Sequence, residues 1–244
     1  MKQSIFKIIS NKALNATVYK MELSGDVSDC NAGGFVNIAL DGKFLRRPIS
    51  VCDINGDVLT IIYKVVGKGT EQMSEMQAGD ELDVLTGLGN GYDTALSGEK
   101  PLLIGGGVGV PPMYLLAKKL IAEGKRVQVI LGFNTRDELF YKDEFEALGA
   151  KVTVTTVDGS FGVRGFVTDA MGDMDYSYIF TCGPEPMLRA VYSASKTSAQ
   201  FSFEERMGCG FGACMGCSCK TVTGYKRICK EGPVLKKEEI LWEA

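Results

Sequence analysis

The chain has 244 residues, 45% apolar and 23% charged, with a net charge of −3. That is enough for two ordinary domains and a small appendage without disulfide staples, and it lacks the basic excess typical of nucleic-acid binders. It contains no histidine, which excludes Ser-His-Asp and Cys-His nucleophilic sites, His-ligated zinc and Rieske-type clusters.

Up to about Gly91 the apolar residues recur with period two. Thr17, Tyr19, Met21 and Leu23 form one face of a strand, 35–40 is a second apolar run, and Asn55-Gly56 ahead of the β-branched run 58–66 predicts a hairpin. An antiparallel β-barrel over 1–96 is expected. From Lys100 the pattern changes to strands at 102–104, 127–133, 152–157 and 178–182 alternating with helices at 111–123, 138–148 and 186–195. Such alternation predicts a parallel-sheet α/β nucleotide-binding domain over 97–200, with its ligand at the carboxyl ends of the strands.

After Phe203 periodicity gives way to glycine and cysteine. Five of the eight cysteines lie between 209 and 229. A segment with so little apolar surface does not order alone, and a metal cluster would supply what packing cannot, making 201–244 a small cluster domain. The start of the chain lacks the apolar core of a secretory signal. The longest uncharged run, 101–117, is broken by four glycines and three prolines. A cytoplasmic location is therefore expected, with no membrane and no nucleic acid as partner; in that compartment clustered cysteines signify metal or redox chemistry.

The spacing Cys209-x4-Cys214-x2-Cys217, with Cys229 further on, matches the plant-type ferredoxin pattern of a 2Fe-2S cluster. Structural zinc is the competing reading, but zinc loops favour two separated C-x2-C pairs. Cys219 lies too close to Cys217 for both to ligate comfortably, and spacing favours Cys217. Cys30 and Cys52 read as ordinary buried small residues. The turn Gly105-Gly106-Gly107-Val108-Gly109 lies between a strand and a helix, where backbone N–H groups and a helix N-terminus can receive a pyrophosphate. Asp158, ending a strand, is placed to accept from ribose hydroxyls, and Asp137-Glu138 to repel a 2′-phosphate, which favours NAD; Arg136 and Arg164 point the other way.

Three motifs in this order, Arg47-Pro48-Ile49-Ser50, the glycine turn running to Pro112, and Cys182-Gly183-Pro184-Glu185-Pro186-Met187, resemble those of the ferredoxin-NAD(P)+ reductase superfamily. With the stretch from Glu204 to Cys217, the whole chain resembles the electron-transfer subunits of the dihydroorotate dehydrogenase B family. The resemblance implies FAD, a 2Fe-2S cluster and NAD as electron acceptor. Arg47 would hold the FAD pyrophosphate, with Pro48, Ile49 and Ser50 lining the flavin. Ile62, Tyr63, Lys64, Gly69 and Thr70 would add flavin contacts, and Cys182 would lie against the nicotinamide beside Gly183 and Pro184. Taken singly, Arg47 also reads as a surface charge and Cys182 as core. Gly87-Leu88-Gly89-Asn90-Gly91 resembles the family's interdomain linker but lacks its proline. The implied partner is an FMN-containing catalytic subunit in a heterotetramer that takes dihydroorotate to orotate, with Phe211 and Met215 either touching it or packing within this chain. The alternatives are a ferredoxin-NAD(P) reductase or hydrogenase-associated flavin subunit and a zinc-stabilised nucleotide sensor.

Overall fold

The computed structural model describes residues 1–242. The first half contains β1 (Lys2–Ala13), β2 (Val18–Ser24), β3 (Phe35–Ile38), β4 (Arg47–Asn55), β5 (Val58–Lys64), α1 (Lys68–Glu75) and β6 (Glu81–Leu88). The six strands close into an antiparallel barrel in the order β1-β2-β5-β4-β3-β6. Phe6, Ile8, Met21, Leu23, Val36, Ile38, Leu59 and Ile61 fill it. The β4–β5 hairpin forms as expected, but its two-residue turn is Gly56-Asp57, with Asn55 paired to Val58; Gly56 takes the positive φ of 61°. Strand β1 had no clear alternation to reveal it, because Ile5 and Ile9 on its outer face are exposed while Phe6 and Ile8 face the core.

The second half is built from β7 (Pro101–Gly106), α2 (Pro111–Ala122), β8 (Gln128–Phe133), α3 (Lys142–Ala147), β9 (Lys151–Thr156), β10 (Val163–Arg164), β11 (Tyr178–Cys182), α4 (Glu185–Ala194), β12 (Ala199–Ser202), the hairpin β13 (Ser218–Thr221) and β14 (Gly224–Arg227), and β15 (Val234–Lys236). One sheet runs β10-β9-β8-β7-β11-β12-β15, parallel except for the last pair. A core of α2, α3, Leu103, Leu131 and Phe180 joins Cys52 and Ile62 of the barrel on one face. On the other face Leu188, Val191, Ile104 and Ile130 meet Phe35 and Leu88 of the barrel together with Cys217 and Cys229. The parallel sheet is thus buried on both faces, and the barrel packs against each.

The helix expected over 138–148 is shorter. A 3₁₀ turn spans Arg136–Glu138, and Tyr141 adopts φ 65° before α3 begins. Phe140 and Tyr141 are turned inward, where Tyr141 meets Tyr114 edge to face and shares a core with the buried Cys52. Packing onto the barrel overrides local helix propensity here.

The boundary expected at 200/201 falls within β12, and β15 returns from the cysteine-rich segment to pair with it. Asn90, in the linker after β6, grips that return: its Nδ2 donates to the Val234 carbonyl at 2.7 Å and the Glu231 carbonyl at 3.2 Å, and its Oδ1 accepts from the Val234 N–H at 3.1 Å. Beyond β15, Trp242 packs on Tyr192, Phe201 and Phe203, with Arg189 over its ring. No helix among the described residues is long and apolar enough to cross a membrane.

Arg46 ties β3 to β6, donating to both Asp83 carboxylate oxygens and to the Asn37 carbonyl. Those hydrogen bonds from Arg46 hold the Asp83 carboxyl below its ordinary value of 3.8. A depressed folded pKa contributes stability that is complete above the unfolded pKa and is lost as pH falls through the folded one. Asp83→Asn should therefore be less stable than the native chain at pH 7 and lose less stability below about pH 4, as read from urea unfolding across that range.

Candidate functional site

Three constellations meet where the barrel, the sheet and the cysteine loop converge. The first is a gap in the barrel. β4 pairs with β3 from Arg47 to Ser50 and with β5 only from Val51 onward, while residues 62–64 of β5 pair with β2 alone. The two motif-bearing stretches therefore diverge, leaving backbone groups on facing edges without ladder partners, and such groups need others. Arg47 lies at the lower end of this gap across the first turn of α1. A Cβ on Gly69 would meet the Arg47 Nε at 2.0 Å, so the guanidinium rests directly on the glycine and a side chain there would displace it. Among the described residues no carboxylate pairs with Arg47; it donates only to the Leu45 and Arg46 carbonyls. Thr70 Oγ1 accepts from the Val66 and Gly67 N–H groups, fixing the turn. An unpaired guanidinium beside a helix N-terminus suits an anion such as a pyrophosphate. Ile62 and Tyr63 have buried side chains, Tyr63 donating to Asn11 Oδ1 at 3.0 Å. Toward a ligand these two positions can offer main chain, whereas Lys64 is exposed.

The second is a cleft of about 500 Å³ between the carboxyl ends of the sheet strands and the β1–β2 turn. Of the expected nucleotide residues, Gly106, Gly107, Gly109, Gly183 and Pro184 line it, and so does Lys64. The glycine turn and the Cys182-Gly183 motif are brought together because β7 and β11 are neighbours, with Gly105 opposite Cys182. Their contact is tight: a Cβ on Gly109 would meet the Cys182 carbonyl oxygen at 2.2 Å. Cys182 itself is 2% exposed, and burial pushes its thiol up to about 12. It therefore forms the floor under the motif instead of the wall. Asp158 lies outside the lining; its Oδ1 accepts from the Ser160 N–H at 2.9 Å and hydroxyl at 2.6 Å, closing its own turn. Glu138, expected to repel a 2′-phosphate, lines the cleft whereas Asp137 does not, and Asn134, Phe166, Thr168 and Glu204 line it too, although no motif singled them out for it. Glu204 is exposed at the lip, where the surrounding protein raises its carboxyl above the ordinary value.

The third is the cysteine loop, where the sulfurs fall into two pairs. Cys209 Sγ accepts from the Cys214 N–H at 3.4 Å and Cys214 Sγ from the Cys209 N–H at 3.5 Å. Cys217 Sγ accepts from the Cys229 N–H at 3.4 Å. Partial burial alone would raise the Cys209 thiol, but the N–H groups of Cys214, Phe211 and Ala213 outweigh it and draw it down to about 6. Cys217 and Cys229 are each 2% exposed and pack with Phe35 and Leu88 of the barrel, whereas Cys214 is on the surface beside exposed Phe211 and Met215. Cys219 is apart from both pairs, on β13 opposite Lys226, and borders a separate groove with Arg189 and Trp242. Among the described residues no three ligating side chains converge as around a single ion. Two sulfur pairs fit a cluster of two irons, each taking two thiolates, better than one tetrahedral zinc.

A barrel with a parted strand pair, a nucleotide cleft on a parallel sheet and a paired-thiol loop together define an iron–sulfur oxidoreductase of the ferredoxin-reductase fold. The family model for the iron–sulfur cluster binding domain of dihydroorotate dehydrogenase B matches residues 204–241, and that for an oxidoreductase NAD-binding domain matches 103–193. The dihydroorotate dehydrogenase B (NAD(+)) electron transfer subunit of Bacillus pumilus (strain SAFR-032) is 41% identical, over 98% of each chain. The protein of the same name from Fusobacterium nucleatum is 43% identical, over 94% of this chain and 95% of its own. This chain belongs to that family of electron transfer subunits. Among solved structures, one of an NADH-dependent reduced ferredoxin-NADP oxidoreductase superposes with a TM-score of 0.89 at 29% identity, covering 98% of this chain and 90% of that one. A ferredoxin NADP+ reductase from Neisseria gonorrhoeae shares the fold at 17% identity and a TM-score of 0.70, over 80% of this chain and 90% of that one.

The Gly109 contact yields a direct test. Gly109→Ala must push the glycine turn off β11, with an expected loss of about 1–3 kcal/mol in denaturant unfolding and weaker binding of NADH by titration.

Proposed function

We propose that this chain carries electrons between a catalytic partner subunit and NAD+, holding FAD in the barrel gap, NAD in the cleft and a 2Fe-2S cluster on Cys209, Cys214, Cys217 and Cys229. The observation that carries the reading is the polarity of the cysteine loop. Its inner pair is buried in the core that also holds Phe35, which stands opposite Ser50 of the flavin motif, while in its outer pair Cys209 is half-buried and Cys214 is exposed. One side of a cluster there would face the flavin and the other a partner.

Bound cofactors would supply the redox chemistry, converting a two-electron hydride exchange into one-electron transfers. The chain's own residues bind, orient and exclude water. Arg47 and the first turn of α1 would neutralise the FAD pyrophosphate, while Pro48, Ile49, Ser50 and the freed main chain of residues 62–64 would hold the ring in the gap. Gly105, Gly106, Gly107 and Gly109 would admit the NAD pyrophosphate, with Gly183 and Pro184 over the nicotinamide and the buried Cys182 beneath it. Asp158, occupied in its own turn and outside the cleft lining, would act on a ribose only if that turn opened.

The partner in this reading is an FMN-containing subunit that oxidises dihydroorotate to orotate, in a heterotetramer of two catalytic and two electron-transfer chains, with exposed Phe211 and Met215 at the junction. The division of the chain into 1–96, 97–200 and 201–244 then corresponds to one cofactor each, although β12 and β15 stitch the last two together.

Two experiments test this. The complex co-purified from its host should reduce NAD+ on addition of dihydroorotate; an NADH-active flavoprotein without that activity points instead to a ferredoxin-linked reductase. In the isolated chain, Cys214→Ser should abolish the visible absorption of the cluster while Cys219→Ser retains it, and the opposite pattern would overturn the ligand assignment.

A further inference from the structure

Asn37 is a polar residue in the middle of an apolar strand, 1% exposed. It sits in β3 directly opposite Pro48 of the flavin motif, and its Nδ2 donates to the main-chain carbonyl of Cys209 at 3.1 Å. Among the described residues this is the only side-chain hydrogen bond that joins the six barrel strands to the cysteine loop. The loop is shaped to receive it: a Cβ on Gly210 would meet the Asn37 Nδ2 at 2.3 Å. The strand is braced behind it, since Arg46, fixed by Asp83, donates to the Asn37 carbonyl at 3.2 Å. Asn37 Oδ1 is buried with no partner. A leucine of similar shape would avoid that unsatisfied oxygen, so what the amide contributes is its N–H bond to Cys209.

We propose that Asn37 is a positioning residue for electron transfer: its amide fixes the cysteine loop to the strand beneath the flavin motif and so sets the separation and coupling of the flavin and cluster sites. The inference rests on the cofactor placement given above. The redox step between the two sites is the passage of one electron, with no bond made or broken. Distance, packing and the local dipole at the sulfurs are then the variables left to the protein.

The test uses the full chain carrying flavin and cluster, mixed anaerobically with NADH, with flavin and cluster reduction followed separately and the electron paramagnetic resonance spectrum of the dithionite-reduced cluster recorded. Asn37→Leu should leave flavin reduction by NADH within about twofold of native, slow cluster reduction by about tenfold or more, and alter the cluster spectrum. Asn37→His, whose Nδ1–H can stand where the amide N–H does, should restore most of that rate. A leucine variant with native cluster kinetics and spectrum would overturn the proposal. Should that variant lose its cluster, Gly210→Ala displaces the same N–H from the loop side, and a native rate there would overturn it equally. A native chain lacking flavin or cluster absorption would instead refute the cofactor reading itself.

Discussion

The segment between β12 and β15 has too few apolar side chains to fold by itself, and the placement of its cysteines depends on how its two ends are held. β15 closes it by adding an antiparallel edge to the parallel sheet, and Asn90 of the linker locks the approach to that strand with three side-chain hydrogen bonds. Asn37 holds the other end at Cys209. Between these anchors the inner sulfurs are pressed into a core shared by barrel and sheet. These anchors hold the cysteines in fixed positions relative to both the barrel and the sheet.

The barrel and sheet serve that geometry in different ways. The barrel is interrupted where β4 and β5 cease to pair beyond Val51 and Ile61, the gap proposed above to take the flavin. The sheet presents its cleft at the point where β7 and β11 lie side by side, a crevice at the carboxyl ends of parallel strands. Shared cores on both faces of the sheet and the Lys118–Asp53 ion pair at 2.8 Å keep the two units in register.

Much of this was legible in the sequence because local chemistry dictated it. The change from period two to strand–helix alternation marked the barrel and the sheet, and the cysteine spacing favours Cys217 over Cys219, a choice left to the two serine variants. The hairpin was read one residue early, since the turn falls on Gly56-Asp57. Helix α3 was read too long because Phe140 and Tyr141 answer to the barrel interface and not to their neighbours in sequence. Asn90 carried no signal beyond a missing proline. Asn37 did carry one, as the single amide in the run 35–40, but its meaning depended on a contact with Cys209, far away in the chain. The lining by Asn134, Phe166 and Glu204 likewise exists only once the strands are ordered in space.

If one chain holds nucleotide, flavin and cluster in electronic communication, electrons from NADH must reach the cluster. Anaerobic addition of NADH to the isolated, cofactor-loaded chain, read by electron paramagnetic resonance, tests this most directly. A reduced 2Fe-2S signal approaching one spin per chain is expected. Full bleaching of the flavin with the cluster left oxidised and silent, although dithionite can reduce it, would contradict it.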